Sequence, residues 1–217
     1  FPRSPMVMDM DFNGENYIII NNHFKCCGDG ILNTNNTNDE EMRRYIANTL
    51  LKEYVNLYYA NTKVIILGDL NDILTDDLEN NVFQMFLDDS DNFMFADIEI
   101  AQGNNSNWSF PNWPSHLDHI LITNELFNLF ENNISYCETI LIDEFMNGGF
   151  SDYDQNISDH RPVGLLLYLT ITGDLNEDNE VNILDVLVIV NIIIGEQSMN
   201  YIADINNDGI INVIDVL

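Results

Sequence analysis

Positive charge is what this chain has least of. Its 217 residues hold only seven Lys and Arg against 36 Asp and Glu, a formal net charge of −29. That balance excludes a general basic surface for polyanions, so a nucleic acid could be met only locally, with divalent cations screening the contact. The same acidity fits calcium binding or a saline environment. No apolar run reaches the ~20 residues of a membrane-spanning helix. Cysteine is scarce: Cys26 and Cys27 are adjacent and Cys137 stands alone, without metal-ligand spacing. A bridge from the pair to Cys137 in an oxidising compartment and buried free thiols both stay open. The chain opens on Phe1, with neither Met nor a signal-peptide pattern, which leaves a removed leader open. What is abundant is apolar side chain, 46% of the residues, which permits a sizeable core and excludes wholesale disorder. The length suits one medium domain plus something small.

The organising stretch is Val64-Ile65-Ile66-Leu67-Gly68-Asp69-Leu70-Asn71-Asp72. Four apolar residues, three of them β-branched, predict a strand buried on both faces. Gly68 lets the backbone turn, and Asp69 and Asn71 arrive at the strand's end, where polar site residues collect in layered α/β proteins. Two residues apart in extended backbone, they are expected on one face. One carboxylate beside one amide can hold a metal-bound water or a phosphate oxygen. An ordinary strand-to-turn exit explains the same pair, since Asp and Asn favour turns.

Elsewhere the chain reads as alternating strands and helices. Met6 to Phe12 and Tyr17 to Asn21 flank Asn13-Gly14, a hairpin pattern, and His23 sits at the end of the second strand. A lone His is most often structural. After a polar loop over 25–38, a helix starts near Thr37 or Asn38, with Met42, Tyr45, Ile46, Leu50, Tyr54, Val55 and Tyr58 as its packing face. A second helix is expected over 79–87. Trp108 and Trp113 lie in an irregular stretch, where they either stack on a substrate or pack in the core. Asp118 enters an apolar strand, an expensive place for an unpartnered carboxylate. A helix over 125–130, a strand over 134–142, a loop over 143–157 and a strand over 164–171 complete the reading.

Taken together, Asn21-x-His23, Gly68-Asp69-x-Asn71, Ser115-x-x-Asp118-His119-Ile120 and Ser158-Asp159-His160-x-Pro162-Val163 resemble the endonuclease/exonuclease/phosphatase family. The order, spacing and strand-end context of all four motifs agree, over residues 1–171. The resemblance implies an α/β fold, a four-layer sandwich of two packed, mostly antiparallel sheets with outer helices. It implies a general base at His160, with Asp118 accepting the other ring N–H. Asp69 and Asn71 would orient the nucleophile and steady developing charge. Asp159 would hold a divalent metal, magnesium (Mg2+) by its oxygen chemistry. Asn21 and His23 would contact phosphate oxygens, and Arg3 matches a family arginine that grips phosphate. A buried Asp118–His160 pair without chemistry is the bland alternative. The family domain opens with strands carrying an Asn and a Glu for the catalytic metal. Nothing before Phe1 supplies them, so a fragment, nearly inactive by itself, is expected.

Residues 172–217 form a separate unit. Asp174, Asn176, Asp178, Glu180, Asn182 and Asp185 recur, offset by 30, as Asp204, Asn206, Asp208, Ile210, Asn212 and Asp215. Oxygens at loop positions one, three, five, nine and twelve, with a backbone carbonyl at seven, are the calcium (Ca2+) loop pattern. Gly209 takes the sharp-turn position in the second loop and Asn179 in the first. The first loop feeds a helix over 183–194, stopped by Gly195. The second runs out at Leu217 before its helix, so truncation at both ends is expected. Asp rather than Glu at position twelve, and the pairing of loops, resemble a type I dockerin. That implies a cohesin-like partner outside a bacterial cell.

Three functions compete. The first is a secreted metal-dependent phosphodiesterase, with nucleic acid as the leading substrate. The second is a phospholipase C-like, sphingomyelinase-like or phosphatase activity on a lipid or small phosphoester. The third is a non-catalytic, calcium-stabilised binding or scaffold module.

Overall fold

The computed structural model describes residues 3–12, 14–131, 134–169, 173–176, 178, 180–196, 203–206 and 208–216. The chain divides into two compact units, Phe1–Leu167 and Tyr168–Leu217. In the first, β1 (Met6–Phe12) and β2 (Glu15–His23) pair antiparallel, Phe12 opposite Glu15. The register leaves a two-residue turn with Gly14 at φ +77°, as the Asn-Gly pair predicts; Asn13 lies outside the described residues. β2 then runs parallel to β3 (Lys63–Asp69). Parallel neighbours need a long crossover, and α1 (Glu40–Tyr58) supplies it. β3 pairs antiparallel with β5 (Asp118–Thr123), and β4 (Phe93–Phe95) closes the far edge. The sheet order is β1-β2-β3-β5-β4. A second sheet pairs β6 (Tyr136–Thr139) with β7 (Val163–Leu166), antiparallel. The result is a mixed α/β fold with two sheets and helices.

The core sits between α1 and one face of the larger sheet. Ala47, Leu51 and Val55 pack with Ile18, Ile20, Val64, Ile66 and Leu121. The helical face read from the sequence is off by part of a turn. Leu50 is 44% exposed and Tyr58 64%, while Glu41, Arg44 and Asn48 are buried. Tertiary partners that periodicity does not register hold them: Glu41 Oε1 accepts from Gly30 N, Arg44 pairs with Asp72, and Asn48 Nδ2 donates to Val82 O. The helix starts two to three residues later than expected, because Asp39 is the cap: its side chain accepts from the Met42 amide at 2.9 Å. β3 also departs from expectation. Val64 and Ile66 are buried, but Ile65 and Leu67 are only half-buried.

Other assignments change as well. The second helix shrinks to α2 (Gln84–Leu87), because the Asn81 side chain ties the preceding turn, accepting from Phe83 N and donating to Leu74 O. The sequence reading contains neither β4 nor α3 (Ile98–Gln102). A 3-10 turn, Asn124–Leu126, precedes the short α4 (Phe127–Phe130). The Gly- and Asp-rich stretch after β6 holds α5 (Phe150–Asn156) instead of remaining a loop. The strand expected over 164–171 ends at Leu166 within the described residues, and Ile171 lies outside them.

In the second unit, α6 (Ile183–Ile193) begins at the first loop. Asn182 caps it, and Asp185 completes a reciprocal capping box. Gly195, at φ +81°, follows its end. The second loop leads into a 3-10 turn, Val213–Val216. Leu175, Ile189, Ile192 and Ala203 form a small core between the loops and α6. Asn179 and Leu217 lie outside the described residues.

Candidate active site

Register alone assembles the heart of the site. His23 pairs with Asp69 across β2 and β3, and Asp69 pairs with Asp118 across β3 and β5. Three polar residues from distant parts of the chain thus form one row at the strand ends. His23 Nε2 lies 3.4 Å from Asp69 Oδ2. Gly68 makes the row possible: it adopts φ +128°, and a Cβ there would run into the Asn22 carbonyl oxygen.

His160, delivered just before β7, docks on this row. Its Nδ1 lies 2.6 Å from Asp118 Oδ2, and its ring sits 4.8 Å from that of Phe110. Asp69, Asp118 and His160 can each offer a ligand atom within 4.8 Å of the others. The hydrogen bond to Asp118 raises the His160 pKa above the ordinary imidazole value, while partial burial opposes it. Burial, and then the Asp118 carboxylate, raise Asp69 above the usual carboxylate range.

Asn71 joins by a different route from the expected one. It adopts φ +56°, so the chain has already left the strand. Its amide donates to Asp69 Oδ1 at 3.1 Å, an Asx turn, and its Nδ2 donates to Phe24 O at 3.4 Å. The two side chains therefore meet through a turn and not through strand alternation.

A cleft of about 640 Å³ collects His23, Asp69, Asn71, Asp159 and His160. Asp159 is exposed. Asn21 and Arg3 are exposed as well and lie outside the cleft lining. Asn21 shares the His23 face of β2. Arg3 precedes β1 at the end where Met6 pairs with Asn21.

The cleft also holds residues that the sequence reading did not assign. Trp113, 78% exposed, lines it with Phe110 and Leu117, so core packing is overturned for Trp113. Trp108 is half-buried, and its Nε1 donates to Ile100 O at 3.0 Å. Cys26 and Cys27 line the cleft as exposed free thiols, with Sγ atoms 2.9 Å apart, which overturns burial for that pair. Cys137 is a free, half-buried thiol whose pKa burial pushes up to about 12. The loop carrying the pair is held by buried Arg44, which donates to the carbonyls of Lys25 and Cys27 and pairs with Asp72 at 2.8 Å. Arg44 also pairs with Glu41 one turn earlier, at 3.2 Å, but the loop and Asp72 that it holds lie 17 to 28 residues away, beyond any local pattern.

Behind the site is a buried cluster of Asp97, His116 and His119. Asp97 Oδ2 lies 2.6 Å from His119 Nδ1 and 3.0 Å from His116 Nε2, and Oδ1 accepts from Ile120 N. The Asp72 carbonyl faces His119 Nε2 at 2.8 Å, so that nitrogen must carry a proton. Ser109 N donates to His116 Nδ1, so that nitrogen must not. The donors are then complete when His119 is an imidazolium against the Asp97 carboxylate. Burial opposes both charges, yet the pair lowers Asp97 and raises His119.

The two loops of the second unit are wired alike. Position one accepts from position five at 3.1 Å in both, Asp174 from Asp178 and Asp204 from Asp208. Asn176 and Asn206 each accept from the same amides at 2.9 Å. Asp178 Oδ1 and Asp208 Oδ1 accept from Glu180 N and Ile210 N. Asn182 and Asn212 cap the following turns. Asp185 and Asp215 each take backbone amides on both oxygens, which lowers their pKa. Side-chain oxygens are thus gathered along each loop, the donor chemistry that suits calcium.

The mixed α/β fold thus brings a histidine–carboxylate dyad to a row of strand-end acids. The chain belongs to the Endonuclease/Exonuclease/phosphatase family, whose family model matches residues 4–160. The Dockerin type I domain matches residues 172–217. No curated protein matches the chain. Similar solved structures include truncated Caenorhabditis elegans TDP2, at 10% identity over 76% of this chain and 60% of that one, TM-score 0.47. The human Nocturnin catalytic domain with bound sulfate anion is 17% identical over 75% and 52%, TM-score 0.42. An endonuclease/exonuclease/phosphatase from Bacteroides vulgatus is 15% identical over 72% and 51%, TM-score 0.43. The chain thus covers 51% to 60% of the length of these three structures. The family is generally metal-dependent, and dockerin domains bind calcium and cohesins in extracellular bacterial proteins. Among the described residues, no helix is long and apolar enough to cross a membrane.

Proposed function

We propose that the protein is a secreted bacterial phosphodiesterase, dependent on magnesium, with nucleic acid as its substrate. Its calcium-binding repeat docks it on a cohesin-like partner. The observation that carries the reading is the 2.6 Å contact between Asp118 Oδ2 and His160 Nδ1, set at the open end of the strand row. Asp118 holds the Nδ1 proton, which leaves His160 Nε2 to take a proton from the attacking water. Asp69 orients that water, and the Asn71 amide steadies charge on the phosphoryl oxygens. His23 contacts phosphate from the neighbouring strand, with Asn21 and Arg3 at the exposed rim. Water attacks phosphorus in line as the ester oxygen departs.

Carboxylates crowd this cleft, and a phosphodiester is itself anionic. The donors that line the cleft fit a hard cation: Asp69 and Asp159 would supply carboxylate oxygens and Asn71 an amide oxygen. Asp159, exposed at the cleft wall, would hold it. When bound, the metal neutralises phosphate charge and acts as a Lewis acid.

Phosphoester hydrolysis on a lipid or small molecule is the second reading. Phe110, Trp113 and Leu117 favour it as far as they favour nucleic acid, because an apolar wall accepts either partner. The test is an assay of the full-length protein that carries this chain against plasmid DNA, RNA, sphingomyelin and a chromogenic phosphodiester, with magnesium and with chelator. Magnesium-dependent cleavage of nucleic acid is expected, abolished by His160→Ala. Turnover of lipid alone would replace nucleic acid with the second reading. No turnover of any substrate would leave a calcium-stabilised binding module.

A further inference from the structure

We propose that Ser109 is a positioning residue that sets the Asp118–His160 dyad. The inference rests on reading those two residues as the catalytic pair. Ser109 is fully buried, 0% exposed, in the loop between α3 and β5. Every polar group of Ser109 is committed to a segment of the site. Its Oγ accepts from the amides of Leu117, at 3.1 Å, and Asp118, at 3.2 Å. Its carbonyl accepts from the Arg161 amide at 2.7 Å. Its own amide donates to His116 Nδ1 at 3.3 Å.

The two halves of the dyad lie 42 residues apart in sequence. Asp118 opens β5, and His160 precedes the residue that Ser109 grips by its carbonyl. One residue therefore ties the backbone under the carboxylate to the backbone beside the imidazole. Each tether is anchored again further out. His116 is held by Asp97, 3.0 Å away. Arg161 forms a two-pronged contact with Asp143, at 3.0 and 2.6 Å, and donates to Ser106 O at 2.7 Å. A bridge between Phe110 and Ser115 closes the intervening loop, which carries Trp113. The hydroxyl is the element that acts on Asp118 directly. Without it, two backbone donors at the start of β5 lose their acceptor, and the carboxylate drifts from the ring.

The test uses the whole chain with Ser109→Ala, which removes only the hydroxyl and keeps both backbone contacts. Two-bond ring correlations in ¹⁵N NMR, at one pH where the ring is neutral, report the His160 tautomer without substrate or metal. His160→Ala assigns its signals. The wild-type chain should show the Nδ1–H form, and Ser109→Ala a mixture with the Nε2–H form, while the His119 signals stay unchanged. In the full-length protein, on the substrate that the assay identifies, kcat should fall by about 100-fold, the scale of a 1 Å misplacement, with KM little changed. Ser109→Thr, which keeps the hydroxyl, should restore both. Should the Ala protein not fold, Ser109→Cys gives the same comparison at similar volume, since sulfur is a weak acceptor. A folded variant with a wild-type His160 tautomer overturns the proposal, and so does loss of the His119 signature together with that of His160. A full-length protein without hydrolase activity would defeat the proposed function, while the tautomer still decides the role of Ser109.

Discussion

Asp118 Oδ2 and His160 Nδ1 lie 2.6 Å apart, and each side chain is about one-fifth exposed. A short contact at the rim of a cleft, open to water on one side, is the arrangement a general base needs. His160→Ala should lower kcat by about 100- to 10,000-fold, the usual contribution of a positioned base.

The pH profile follows from the same pair. In the proposed mechanism His160 acts unprotonated, and Asp118 raises its pKa. Activity should fall as pH drops through a value above the ordinary histidine pKa of ~6.5. Asp118→Asn removes the charge, so the acid limb should move to lower pH while the maximal rate falls. A limb that stays in place in the Asn variant would mean another group controls it.

Asp97 and His119 form a fully buried ion pair. Asp97→Ala leaves an uncompensated buried charge and should cost about 3–5 kcal/mol. Asp97 is lowered, so its contribution is present above its unfolded value and is lost as pH falls through the folded one. His119 is raised, so its contribution is complete below its unfolded value and is lost as pH rises through the folded one. The pair therefore stabilises most between roughly pH 4 and 6.5. Denaturant titration across pH checks this: in the Ala variant that dependence should be absent.

Gly68→Ala should damage both fold and site. A left-handed φ and the Asn22 carbonyl leave no room for a Cβ. A cost of at least about 1–3 kcal/mol is expected from the strained backbone alone. Thermal melting and the Asp118–His160 tautomer readout should both change.

The second unit should bind calcium in the weak range of extracellular modules, Kd about 10⁻⁴ to 10⁻³ M. The second loop should bind less tightly, because only a 3-10 turn follows it. Asp174→Ala should remove the tighter event in a calorimetric titration. Absence of any calcium-dependent heat or helicity change at millimolar calcium would exclude the assignment.

Local chemistry settled much of this protein from the sequence alone. The Asn-Gly hairpin, the α1 crossover into the Val64 strand and the doubled calcium loop each depend on residues a few positions apart, where propensity and spacing decide. The four motifs were legible because strand ends present side chains at fixed offsets. Tertiary structure decided what no local pattern encodes. Register, not sequence, set His23, Asp69 and Asp118 in one row. A left-handed backbone brought Asn71 to Asp69 by a turn. The buried face of α1 takes in Glu41, Arg44 and Asn48, which bond to partners elsewhere in the chain that hydrophobic periodicity cannot see. Trp113 was left in water beside the cleft, whereas Ser109 was taken inside. Burial of a polar group is favourable only when distant partners complete its hydrogen bonds, and those partners exist only once the chain has folded.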